Sequence, residues 1–114
     1  MSQLKTVIVG TSKPILNYVT ACITIFNQNE KSLMIRARGK AINVAVDVVQ
    51  LLTRSFLRDV TITKINIDGE KVNTKSGKQI TLPVLEITLS RQDRMIDVGN
   101  TKSPIYFKSS RIIK

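Results

Sequence analysis

At a single glycine, Gly39, the spacing of apolar residues changes from two to three and four. Before it, Leu33, Ile35 and Ala37 alternate with Met34, Arg36 and Arg38. That is a strand with one apolar face and two arginines pointing the same way on the other. After it, Ala45, Val48, Val49, Leu52 and Phe56 form one side of a helix, against Asn43, Asp47, Gln50 and Arg54. A strand that hands over to a helix within two residues has few options. The helix must fold back so that its stripe and the apolar face of the sheet cover each other.

The remaining segments fit the same frame. Lys5 to Val9 is a short β-rich run closed by Gly10, and reads as an edge or early strand. A loop follows, with Ser12 as helix cap and Pro14 near the first helical position. Ile15, Val19, Cys22, Ile23 and Phe26 then recur at helical steps as far as Asn27-Gln28-Asn29. Val60 to Ile67 is strand-like, but its apolar residues keep no single parity, which predicts a bulge or a two-sided environment. Asp68-Gly69 and Ser76-Gly77 read as turns, and Leu85, Ile87 and Leu89 as a final strand. The expected fold is an α+β two-layer sandwich in the order β-α-β-α-β-β. Two helices lie on one face of a small mixed sheet, and a β-hairpin arm protrudes from it.

With 114 residues there is room for one core, expected within residues 1–91. Residues 92–114 read as a partly ordered basic extension, six basic residues from Arg91 onward against two acids, with Pro104 to Phe107 as its docking segment. Met1-Ser2-Gln3 leads straight into structured sequence, so no signal peptide is expected, and no apolar run reaches membrane-spanning length.

Charge narrows the function. Eighteen Lys and Arg against eight Asp and Glu give a formal net of +10, a field that draws polyanions. The chain has no His, hence no imidazole base and no usual zinc ligand set. Its one thiol, Cys22, falls among Val19, Ile23 and Phe26 and reads as an inert core residue. The acids Asp47, Asp59, Asp68 and Glu86 are scattered over different elements and suggest no metal cluster. A binding protein is expected rather than an enzyme, without metal or cofactor.

Three basic features can carry the binding. Lys13 precedes a helix N-terminus, where unpaired N–H groups and the helix dipole favour an anion, although an ordinary loop lysine has the same appearance. In Arg36-Ala37-Arg38-Gly39-Lys40, three cations within five residues repel one another unless an anion neutralises them. Gly39 there allows either close backbone approach or a positive φ. Lys71, Lys75 and Lys78 surround the Ser76-Gly77 turn. Strands continuing through Glu70 to Leu82 would give an arm of about eight residues a side, roughly 25 Å, that suits a nucleic-acid groove. Aromatic residues are too sparse for a base-stacking platform.

In order and spacing, Gly10-Thr-Ser-Lys-Pro-Ile-Leu-Asn-Tyr-Val19, Ile35-Arg-Ala-Arg-Gly-Lys-Ala-Ile42, Ala45-Val-Asp47, Phe56-Leu57 with Asp59, and Leu85-Glu-Ile-Thr-Leu89 resemble the Alba family of archaeal chromatin proteins. The resemblance spans residues 5–91. It implies a homodimer in the cytoplasm, associated with the chromosome, that coats and compacts double-stranded DNA with little sequence preference and also binds RNA. A role centred on RNA, as a chaperone or an RNase P-type subunit, is the alternative it leaves open. Carried over, Lys13, Arg36, Arg38 and Lys40 become backbone contacts, and Lys75 and Lys78, with Lys71 beside them, arm contacts. Phe56, which spacing alone places in the core, becomes the contact between neighbouring dimers. The chain departs from the family pattern in places. Ser12 stands where many relatives have a second lysine, so lysine acetylation is either absent or shifted to Lys13. Val44 replaces a frequent lysine and Arg58 a common proline.

Overall fold

A computed structural model describes residues 4–91. The elements are β1 (Lys5–Val9), α1 (Ile15–Asn27), β2 (Ser32–Arg38), α2 (Ala41–Leu51), β3 (Val60–Asn73) and β4 (Gln79–Arg91), with a π-helical turn, Leu52–Phe56, extending α2. The four strands form one mixed sheet in the order β1-β2-β4-β3. β1 runs parallel to β2, and the other pairs are antiparallel. This is the expected α+β sandwich. The helices pack mainly on β1 and β2.

The core follows the two periods read from the sequence. Leu33, Ile35 and Ala37 of β2 lie opposite Leu89, Ile87 and Leu85 of β4 and share a face with them. On that face they meet Val19, Cys22 and Phe26 of α1, Ala45, Val48 and Val49 of α2, and Leu52 at the start of the π-helical turn. Each fully buried Leu, Ile, Val or Phe contributes about 1.5–3 kcal/mol relative to exposure. Among the described residues no polar or charged side chain is buried. Cys22 is fully buried, and desolvation pushes its thiol up to about 11, so it is a packing group rather than a nucleophile.

Three local expectations are corrected. Ser12 does not cap α1: Pro14 occupies that position with extended geometry (φ −63°, ψ 150°), and no side chain bonds the helix end. Asp68-Gly69 is not a turn. Both residues pair inside β3, Asp68 with Val84 and Gly69 with Pro83. A Cβ on Gly69 would come within 3.0 Å of Thr81 Cγ2, so the glycine makes room for a cross-strand neighbour instead of reversing the chain. Phe56 is not core but 49 % exposed. The Leu57 N–H bonds the Leu52 carbonyl at 2.8 Å, an i→i+5 closure. This wider turn advances less per residue, so Phe56 does not return over Leu52, and Leu57 packs on the core instead.

Arg91, the last described residue, is held by the fold at three points. It ends β4, pairs with Asp59 at 2.9 Å, donates to the Phe26 carbonyl at 3.2 Å and lies 5.3 Å from the centre of the Phe26 ring. The segment Pro104 to Phe107 falls outside the described residues.

The bulge expected in β3 lies between Ile62 and Lys64 and has a consequence for the surface. Ile62, Ile65 and Ile67 are spaced by three and then two, yet they pair with Leu89, Ile87 and Leu85. The extra residue, Thr63, restores one parity and puts all three isoleucines on the helix-bearing face. β3 is the outer strand, beyond the reach of the helices, and these side chains stay 44 %, 56 % and 75 % exposed. An apolar stripe on a sheet edge is a surface built to be covered.

Candidate nucleic-acid interface

β2 ends at Arg38, opposite Val84, and from Pro83 onward the β3–β4 hairpin continues alone. This is the protruding arm. Its ladder runs from Gly69–Pro83 to Asn73–Gln79, five residues a side or about 16 Å at the usual rise, with a turn beyond it. The turn is closed by its own bonds: Thr74 N–H to the Lys78 carbonyl at 2.8 Å, Gly77 N–H to the Thr74 carbonyl at 2.9 Å, and Lys78 N–H to Thr74 Oγ1 at 3.1 Å. Lys75 and Lys78 are exposed in this turn. Lys71 is exposed lower on the arm and pairs with Thr81, on the opposite ribbon face from Glu70.

Where the arm leaves the sheet, the ends of β1 and β2 and the start of α2 enclose a groove of about 540 Å³. Arg36, Arg38 and Lys40 line it, together with Gly10, Thr11 and Glu70. Gly39 makes the corner. Its φ is +58°, its N–H bonds the Pro83 carbonyl at 2.9 Å, and its carbonyl accepts from Ile42 at 3.1 Å. Of the two roles open to it, the left-handed backbone is the one it fills: a Cβ there would meet only the Leu82 methyls at an ordinary 3.7 Å.

Lys13 stands apart from the groove lining, exposed in the loop that follows Gly10 and precedes the uncapped N-terminus of α1. The loop is pinned at its start, where the Tyr18 hydroxyl accepts the Gly10 N–H at 3.1 Å. The structure therefore gathers Arg36, Arg38 and Lys40 in one groove and holds the tip lysines and Lys13 on separate projections.

Acidic residues occupy this basic site, and periodicity gave no sign of them. Arg36 donates to Glu86 Oε2 and, at 2.8 Å, to Glu70 Oε1; Arg38 donates to Glu70 Oε2 at 2.7 Å. Glu86 also accepts from Asn66 Nδ2 at 3.0 Å. The bonds from Asn66 and then Arg36 hold the Glu86 carboxyl below its ordinary range, and the Glu86 bond is the main reason that Arg36 stays above its own. The anions that the crowded cations required are thus partly supplied from within. Glu86 faces Arg36 directly across the β2–β4 pairing, which only the register reveals. Among the described residues no group of three or more His, Cys, Asp or Glu is arranged to hold a metal, and no helix is long and apolar enough to cross a membrane.

Comparison with known proteins gives a consistent set. The Alba family model matches residues 5–68. The DNA/RNA-binding protein Alba of Methanocella arvoryzae is 40% identical over 91 residues, 80% of this chain and 94% of that one. The protein of the same name from Methanococcus maripaludis is 42% identical over 79 residues, 68% of this chain and 89% of that one. Among solved structures, Alba from Thermoplasma volcanium superposes with a TM-score of 0.72 at 39% identity, over 76% of this chain and all of that one. ALBA1 from Trypanosoma brucei, at 24% identity, shares the fold with a TM-score of 0.64 over 82% of this chain and 74% of its own.

Proposed function

The chain belongs to the Alba family, and from that premise we propose that it is a nucleic-acid-binding protein. In this reading it coats duplex DNA as a homodimer, through the phosphate backbone and with little sequence preference, in the cytoplasm and on the chromosome. The observation that carries the reading is the groove at the end of β2. There Arg36, Arg38 and Lys40 converge beside the root of a basic hairpin, in a chain of net charge +10. Planar guanidinium forks suit phosphate oxygens, and they carry no sequence information by themselves. Lys13, at an open helix start, and Lys71, Lys75 and Lys78 on the arm extend the same surface. Lys13 is also the candidate for charge-removing modification.

The second copy in the dimer is assigned to the isoleucine stripe. Ile62, Ile65 and Ile67 form a continuous apolar edge, and a two-fold axis through such an edge covers the same patch on both subunits. Phe56, held at the surface by the π-helical turn, suits the contact between neighbouring dimers. Phe56→Ala should leave the melting temperature nearly unchanged, because an exposed side chain supports little of the core. It should also flatten the cooperative binding isotherm on a long duplex. A large drop in melting temperature with cooperativity retained would return Phe56 to the core.

RNA is a second ligand class, supported by relatives whose name includes it. Competition between a duplex DNA and a structured RNA at one fixed salt concentration separates the two emphases. Duplex DNA should displace the RNA, whereas RNA displacing DNA would make RNA the principal ligand.

A further inference from the structure

The groove that best fits a phosphate already contains a carboxylate. Glu70 places Oε1 2.8 Å from Arg36 and Oε2 2.7 Å from Arg38, so one anion is shared between two guanidinium groups. A bridging backbone phosphate would present its oxygens to these two forks in the same way. With Glu70 and Glu86 both in place, the three cations of the groove face two carboxylates. These two carboxylates, with Asp68 close enough to act on Glu86, offset most of the local positive charge in a chain of net +10.

The two carboxylates are not equivalent. Glu86 sits directly opposite Arg36, is also held by Asn66, and has a side chain 21 % exposed. Glu70 comes from β3, which is not paired with β2; it meets the long arginine side chains over the intervening β4 and remains 37 % exposed. Its register partner is Leu82, and the bonds described for its carboxylate go to Arg36 and Arg38. Exposed ion pairs of this kind are individually weak and give way to a stronger anion. A polyanion that releases counterions as it binds is such an anion.

We propose that Glu70 is a phosphate mimic built into the root of the arm: it occupies the Arg36–Arg38 site in the free protein, and nucleic acid must displace it to bind there. The proposal rests on the reading of the groove as a phosphate site. It makes Glu70 a residue that limits affinity, the opposite of one that orients the arginines for their ligand. Because Glu70 lies on β3, phosphate entry also releases the ion pairs that tie the arm to β2.

The two roles differ in sign. Glu70→Gln and Glu70→Ala should each tighten binding to a duplex about three- to tenfold per dimer, the scale set by losing weak competing ion pairs at two symmetric sites. Glu30→Gln removes the same charge just ahead of the other end of β2 and should change affinity less. In an Arg36→Ala, Arg38→Ala background, Glu70→Gln should act no more strongly than Glu30→Gln, because the site it competes for is gone. Thermal unfolding of each variant checks that the fold is retained. If Arg36→Ala with Arg38→Ala weakens binding but neither Glu70 variant tightens it, the mimic is overturned while the phosphate site stands. If the double arginine variant binds as well as the parent, the site itself is misplaced and the proposal falls with it.

Discussion

Raising salt from about 50 mM to about 200 mM should weaken binding to a duplex by roughly three to four orders of magnitude. Each phosphate neutralised contributes a slope of about −0.9 in log affinity against log salt, and about five to eight contacts per dimer are reasonable for this surface. The estimate draws on Lys13, Arg36, Arg38, Lys40 and the arm lysines in two copies, less whatever Glu70 and Glu86 already neutralise. Fluorescence anisotropy with one labelled duplex across a salt series gives the slope directly. A response near zero would mean that apolar or base contacts dominate, and would remove the electrostatic basis for the groove.

The second large effect concerns assembly. Ile65→Asp combined with Ile67→Asp should convert the proposed homodimer to a folded monomer. These side chains are 56 % and 75 % exposed in the single chain, so a carboxylate there meets water in the monomer and an apolar partner in the dimer. Duplex affinity should then fall by about two orders of magnitude, because two linked sites become one. Sedimentation equilibrium reports the mass, and far-UV circular dichroism the fold. A dimer that survives both substitutions would place the subunit contact elsewhere on the surface.

The framework was legible wherever one period ruled a segment. Alternation through β2, the helical stripes of α1 and α2, and the switch between them at Gly39 all appear as read, because each element buries one face against the others. The irregular parity of β3 was also informative: it marked a real bulge, and the bulge is what aligns the three isoleucines. Dipeptide chemistry was less reliable. Asp68-Gly69 has the composition of a turn, but long-range pairing with Pro83 and Val84 overrides a local preference worth far less than a continuous ladder. Phe56 obeyed the helical spacing and still escaped the core, because spacing assumes a constant turn and the last turn is wider.

In the candidate site the cations were visible and their partners were not. Arg36-Ala-Arg-Gly-Lys is contiguous, so its charge is apparent from the sequence alone. Glu70 and Glu86 are 34 and 50 residues from Arg36 and reach it only through the strand order β2-β4-β3. Tyr18 stood outside the stripe read for α1, and its acceptance of the Gly10 N–H likewise needs the fold.

The central claim is that the end of β2 binds phosphate rather than bases. The most direct test is the affinity of the Arg36→Ala, Arg38→Ala variant for two duplexes of unrelated sequence, measured at one salt concentration beside the parent protein. The account predicts a loss of about tenfold or more that is the same for both duplexes, with the fold retained, since charge-assisted phosphate contacts are strong but indifferent to sequence. A loss on one duplex and not the other would mean that these arginines read bases, and would contradict the account.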